Sequence, residues 1–358
     1  MAAVHQVVPW LERQDAIGDE VRTVQRLLRD RGHVSDVFTL HGGPHTAGTV
    51  ADLCARPHAD AVLYHFATAS PATIALARAR LPLILLHHNV TPAAYFRGID
   101  RAYHDRCRLA ASEVTLLRGR TLLALAASDF TRRQLESDGF SPTGVLPVVL
   151  DPAPYRDHRP GRLAAEIRSQ PGPVFLVVGR VAPNKRVEEA IRLFHLYRRG
   201  IDDSARLWIV GDDQRLPRYR SALGGLLDNL GETGVRFTGK VPTQDLLDAY
   251  SAARVLLCMS DHEGFGVPLL EAMLMGLPIL AMEHGAVGET LGPAGLRLTT
   301  RDLPLAAELL HMLASDEETR RRQVALGHRR AAELSPERAA DCLVAHLASL
   351  GIASTSAS

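Results

Sequence analysis

Along most of the chain, short apolar runs alternate with stretches whose apolar positions recur every three or four residues. In the first half the runs fall at residues 4–8, 34–40, 61–64, 83–87, 122–127 and 145–149. They are continuous rather than alternating, the pattern of strands covered on both faces. Between them, residues 19–31 put Val21, Val24 and Leu28 on one helical face. Tyr103, Cys107, Ala110, Val114 and Leu117 likewise follow a helical spacing. After residue 173 the alternation restarts, with predicted strands at 174–178, 206–210, 235–238, 255–259, 278–282 and 295–298. Such alternation predicts parallel sheets with helices on both sides.

One segment breaks the pattern. Residues 151–173 hold Pro152, Pro154, Pro160, Gly161, Pro171, Gly172 and Pro173 among charged residues, with one short helical pattern at 163–167. That is linker composition. A last helix is predicted from Pro336, with Ser335 as N-cap and Gly351 as stop, and the small polar residues beyond it are expected to fray. The expected organisation is α/β, with two Rossmann-like doubly wound domains facing across a cleft. The N-terminal domain would span 1–155. The C-terminal domain would span 156–335, leaving 336–358 as a helix and tail. Ligands of such sheets bind beyond the carboxyl ends of the strands.

Composition narrows the function classes. A chain of 358 residues exceeds one ordinary hydrophobic core. Its net charge of +1 gives no long-range field for nucleic acid, so no nucleic-acid partner is expected. The opening Met-Ala-Ala-Val-His lacks the basic and apolar regions of a signal peptide, and the apolar run near residues 81–86 is too short to span a membrane. Cys54, Cys107, Cys258 and Cys342 are scattered without a Cys-x-x-Cys pair and read as small buried hydrophobes. A cytoplasmic setting is the expectation.

Two stretches carry chemistry. In Val177-Val178-Gly179-Arg180-Val181-Ala182-Pro183-Asn184-Lys185-Arg186, an apolar strand runs into a glycine and then a loop with two cations before a helix. Arginine's planar fork and lysine's compact charge can together hold two phosphate groups. The alternative is a solvated basic loop. The second stretch is Asp261-His262-Glu263-Gly264-Phe265-Gly266-Val267-Pro268, leading into a helix that contains Glu271. Gly264 and Gly266 permit close backbone approach to a ligand. Glu271 lies in an otherwise apolar run and needs a partner. Sugar hydroxyls or a ribose diol would serve; a helix-capping Glu263 and a structurally paired Glu271 are the alternative.

In these residues the chain resembles the family-four retaining glycosyltransferases, which have the glycosyltransferase-B architecture of two Rossmann-like domains. The resemblance rests on the Gly-Arg-x4-Lys loop and on Glu263 and Glu271 with seven residues between them. Leu207-Trp208-Ile209-Val210-Gly211-Asp212 and Val235-Arg236-Phe237-Thr238-Gly239-Lys240-Val241 support it. The match is specific over about residues 173–281 and looser before them. It implies that Arg180 and Lys185 neutralise a leaving diphosphate, that Glu263 holds the donor sugar and that Glu271 holds the ribose. Gly179, Gly264, Phe265, Gly266 and Val267 would line the donor, while Gly211 and Val241 would shape the base pocket. A catalytic histidine at a strand end is implied, with His88 the preferred match and His87 second. His88 stands beside Asn89; His87 is otherwise an acceptor-side candidate, as is Asn89 itself.

The loop Gln14-Asp15-Ala16-Ile17-Gly18-Asp19-Glu20 departs from the paired glycines common in the family, having Gly18 alone. This favours contact of Gly18 and Asp19 with an acceptor, against the alternative that Asp19 or Asp15 is an ordinary N-cap. By resemblance the donor is a UDP- or GDP-linked sugar acting as co-substrate, with no other cofactor and no metal. The acceptor is a small molecule, a glycan or a lipid-linked molecule. A pseudo-glycosyltransferase using an activated cyclitol and a sugar-nucleotide epimerase are the rival activities. An NAD enzyme is disfavoured because neither first strand–helix turn carries Gly-x-Gly-x-x-Gly. Asp202-Asp203 reads as a turn and Asp212-Asp213 is not assigned to a metal. Arg22, Arg26 and Arg29, flanked by acids, read as a solvated face, leaving peripheral membrane contact the less favoured reading.

Overall fold

The computed structural model describes residues 1–11, 16–55 and 59–352. Their contacts form two compact units. The first comprises Met1–Ala94, Ala102–Asp151 and Leu334–Ser358; the second comprises Tyr95–Arg101 and Pro152–Glu333.

Seven strands build the first unit: β1 Val4–Val7, β2 Val37–Thr39, β3 Gly48–Thr49, β4 Ala61–Phe66, β5 Leu83–His87, β6 Thr121–Ala126 and β7 Thr143–Val145. All pair in parallel, in the order β3-β2-β1-β4-β5-β6-β7. Side chains alternate between faces along a strand, and here both faces are dry. Val62, Tyr64 and Phe66 of β4 join one apolar cluster, and Ala61 and Leu63 join the other. That is why the central strands read as unbroken apolar runs.

The helix Ala16–Asp30 lies on the second of these faces through Val24, Leu27 and Leu28. Beside it packs the helix Pro336–Ser349, with Ala339, Leu343 and Leu347 in the same cluster. Its N-cap is the expected Ser335, whose side chain accepts from the Arg338 N–H. Far from standing apart as a tail, this helix completes the first unit's core.

The second unit repeats the plan with β8 Val174–Val178, β9 Arg206–Val210, β10 Val235–Gly239, β11 Val255–Cys258, β12 Ile279–Met282 and β13 Leu296–Leu298. The order is β10-β9-β8-β11-β12-β13, again all parallel. Sequence order reverses between β8 and β11, and at such a switch point the loops beyond the strand ends diverge and leave a crevice. Phe175, Leu176, Trp208, Ile209 and Leu256 are buried at its centre.

Several boundaries differ from the sequence expectation. β7 ends at Val145 instead of starting there, because Pro147 has no N–H to extend an edge ladder. β2 is three residues long, although Val34 makes a parallel bridge with Ala3. The two-residue β3 has no apolar run to announce it. The long helical pattern from Tyr103 divides into a helix Arg101–Glu113 and a 3-10 turn Val114–Leu117. Gln14 and Asp15, and the residues from 353 onward expected to fray, lie outside the described residues. No described helix is long and apolar enough to cross a membrane. The four cysteines are free.

Candidate functional site

The loops after β8 and β11 flank the second unit's switch point, and they are tied to each other. Gly179 continues the β8 ladder, its N–H donating to Val210 O at 2.9 Å, and the Val181 N–H donates to Asp212 O at 2.9 Å. Gly211 follows β9 with φ 144°, and a Cβ there would fall 2.1 Å from Gly179 O. No side chain fits, so Gly211 sets the path of the cationic loop. A 3-10 turn Pro183–Lys185 then presents Lys185, and Arg186 at φ 50° opens the helix Val187–Gly200.

Across the switch point, Asp261 N–H donates to Asn184 O at 2.8 Å and Asn184 Nδ2 donates to His262 O at 3.4 Å. Lys185 Nζ reaches Glu263 Oε1 at 2.6 Å. Gly285 passes so close that a Cβ would meet Glu263 O at 2.5 Å, and Ala286 N–H donates to that oxygen. Glu263 is thus fixed by backbone on one side and by a cation on the other. Val177, Lys185, Cys258, Glu263, Gly266 and Leu269 line a shallow hollow here. The Cys258 thiol lies 3.9 Å from Glu263 Oε1. Burial, and then the Glu263 charge, push that thiol up to about 11, so it stays protonated.

The remaining donor-side candidates fall around this pair. Arg180 is exposed, with Arg215, Asp212 and Glu263 as its charged neighbours. Gly266, left-handed at φ 90°, precedes the helix Val267–Leu274. Gly264 and Val267 are half-buried; Phe265 is buried, its carbonyl accepting from Thr290 Oγ1. Glu271 is buried and accepts from two phenols, Tyr155 Oη at 2.8 Å and Tyr250 Oη at 2.7 Å. The paired-carboxylate alternative raised from sequence is thereby realised. Val241 is half-buried just after β10. Asp212 is engaged by Arg215 at 2.6 Å and Asp213 by Arg220 at 3.2 Å, so the two carboxylates are turned to separate guanidinium groups.

In the first unit, β5 ends in His87, His88 and Asn89. Asn89 has φ 64°, a left-handed backbone that asparagine tolerates better than most residues. Its N–H donates to His87 Nδ1 at 3.2 Å. The other His87 nitrogen, Nε2, therefore carries the ring proton. Burial lowers His87 to about 4, keeping it neutral at neutral pH. His88 is different: Nε2 lies 3.0 Å from His65 Nδ1, and Nδ1 lies 3.4 Å from Glu20 Oε2. Both of its ring nitrogens are directed at protein groups.

Gly18 is buried within the helix Ala16–Asp30. Asp19 is exposed in its first turn, paired with Arg22, and is not an N-cap. Arg26 stands beside Asp30 and Asp151, and Arg29 beside Asp36, the acid-paired face expected of a solvated helix. Sequence reading missed Gln6, His65, Tyr155 and Tyr250. Gln6 and His65 leave one trace, as polar interruptions inside apolar strand runs.

Comparison with known proteins gives the same picture. Residues 172–316 match the family model for glycosyl transferases group 1. The chain is 31% identical over 147 residues to O-antigen chain mannosyltransferase B of Escherichia coli, covering 39% of this chain and 37% of that one. It is 27% identical over 255 residues to D-inositol 3-phosphate glycosyltransferase of Corynebacterium aurimucosum, covering 67% and 59%. The chain thus spans less than two thirds of the length of these curated relatives. Among solved structures, HepE of Anabaena in complex with UDP and glucose superposes with a TM-score of 0.77 at 18% identity, over 98% of this chain and 100% of that one. At that identity the likeness shows the fold, which is the glycosyltransferase-B fold of two Rossmann-like units. Through residues 172–316, the chain is similar to the glycosyl transferases group 1 family.

Proposed function

We propose that the protein is a glycosyltransferase that moves a sugar from a UDP- or GDP-sugar to an acceptor hydroxyl, with retention and without a metal. The observation that carries this is the Lys185–Glu263 pair at the switch point, with Arg180 on the same loop as Lys185. A lysine ammonium has three N–H donors, so Lys185 can keep Glu263 and still face a diphosphate oxygen. Arg180 adds a second positive charge where the leaving group gathers negative charge, which lowers the barrier to departure. Glu263 accepts from donor-sugar hydroxyls, and Glu271, by the family resemblance, holds the ribose. From the first unit, the neutral His87 supplies an Nε2–H donor to substrate. His87 is favoured over His88 here because both nitrogens of His88 are engaged.

The reaction needs no protein nucleophile in this reading. The departing phosphate oxygen takes the acceptor's proton on the face that it leaves, and the new bond forms on that same face. The names of the relatives support a sugar-transfer role, and HepE was solved with UDP and glucose. A panel of UDP, GDP, NAD and their sugar conjugates, read as thermal shifts, tests the donor class. Stabilisation by UDP or GDP, and donor hydrolysis with the matching sugar conjugate, are expected in the presence of a chelator. Stabilisation by NAD alone, or release of an epimerised donor, would overturn the reading.

A further inference from the structure

Four polar side chains from four separate segments meet near the carboxyl ends of the first unit's strands. Gln6 lies on β1, His65 on β4, His88 just after β5, and Glu20 on the helix Ala16–Asp30. Gln6 and His65 are fully buried and Glu20 is 3% exposed. The donor and acceptor roles follow from one end of the row. Gln6 Nε2 donates to Val21 O at 3.1 Å, so its Oε1 must accept from His65 Nε2 at 2.9 Å. His65 Nδ1 is then an acceptor, and His88 Nε2 donates to it at 3.0 Å across nearly parallel rings. That leaves His88 Nδ1 as the acceptor opposite Glu20 Oε2 at 3.4 Å. Glu20 Oε1 is already occupied, accepting from Val149 N–H at 3.1 Å. For the row to close without charge, Glu20 Oε2 must carry a hydrogen.

We propose that Gln6, His65, His88 and Glu20 form a one-proton relay that positions the turn at residues 87–89, with the proton resting on Glu20 at neutral pH. Moving that proton to His88 would create a carboxylate and an imidazolium in a site with no water shell, which is costly. The other titratable group facing His88 is His87, and its effect on an imidazolium would be repulsive. The turn held in this way carries the left-handed Asn89 and the His87 Nε2–H. The relay thus fixes a strained turn that local sequence alone would leave loose. Only the statement that the turn touches substrate rests on the glycosyl-transfer reading; the protonation pattern does not.

The sign of the pH effect follows from linkage. Burial raises Glu20 to about 8 from an ordinary 4.5. Between these values the folded chain keeps a proton that the unfolded chain has released, so stability falls as pH rises and levels off above about 8. Glu20→Gln is the decisive variant, because its amide can accept from Val149 N–H and donate to His88 Nδ1 with no ionisable group. Relative to Glu20→Gln, the wild-type unfolding constant should rise about tenfold per pH unit between pH 5 and 8. Histidine ¹⁵N spectra should show His65 and His88 as neutral Nε2–H tautomers in both proteins at pH 7. The alkaline loss of kcat/KM near pH 8 should be present in wild type and absent in Glu20→Gln. A flat stability difference, or an imidazolium signal from His88 at pH 7, would overturn the proposal. Inactivity of both proteins on every donor would sink the transfer reading alone, since the spectra and unfolding curves need no substrate.

Discussion

Both units are wound the same way, and each buries a glutamate near its switch point. Glu263 in the second unit meets Lys185 at 2.6 Å, while Glu20 in the first meets a histidine and a backbone N–H. One carboxylate is held by a full charge and the other by groups that can be neutral. The difference decides what each can do. Glu263 is paired with a cation of the loop after β8. Glu20 is pushed up to about 8 by burial and serves best as a neutral donor. The same fold therefore holds an ionic site in one half and a nearly charge-free hydrogen-bonded row in the other.

The contrast can be broken at several points. Gly211→Ala should have the largest effect, because its Cβ would overlap Gly179 O at 2.1 Å. A loss of about 3 kcal/mol or more in urea unfolding is expected, together with loss of nucleotide binding. Next comes Lys185→Ala, which strands Glu263 without its cation. Unfolding should cost about 2–3 kcal/mol, less than a fully buried pair because Lys185 keeps some solvent. Turnover should fall tenfold or more, equivalent to about 1.4 kcal/mol at the transition state. If donor turnover is unchanged in Lys185→Ala, the ionic site is not the donor site.

A smaller loss is expected from Tyr250→Phe, about 1.5–2 kcal/mol by urea unfolding, since it removes a buried donor from the Glu271 carboxylate. In the first unit the relevant variable is acid. His87 is lowered to about 4, so the unfolded chain takes up a proton below about 6.5 that the folded chain refuses. Stability therefore falls as pH drops from 6.5 towards 4. His87→Asn should remove about 1.4 kcal/mol per pH unit of that slope in melting curves. The smallest effect is Asp19→Asn: its exposed pair with Arg22 should be worth no more than about 0.5 kcal/mol at any pH. A marked loss of transfer in that variant would instead return Asp19 to the acceptor.

The central strands were legible because each is dry on both faces, so composition alone reports them. β4 is the clear instance, with six consecutive buried residues. The two loops at the second unit's switch point were legible because their residues lie close together in sequence and glycines mark the turns. The relay was not. Its members are spread from Gln6 to His88, and their meeting depends on the order in which β1, β4 and β5 lie side by side. The same holds for Glu271, whose phenol partners at Tyr155 and Tyr250 come from two distant helices. Edge strands were misread for a different reason. β7 has one neighbour, so a single proline decides where it stops.

The helix Pro336–Ser349 bears on the order in which the chain is made. His346 Nε2 lies 3.0 Å from Val145 O, and Leu343 and Leu347 fill the same cluster as Val4 and Leu63. A ribosome releases β1 to β7 long before this helix, with residues 152–333 of the second unit emerging in between. The early strands must wait, one apolar face incompletely covered, while residues 152–333 emerge and fold. During synthesis the second unit can reach its native state first, and the chain's earliest residues are among the last to be secured.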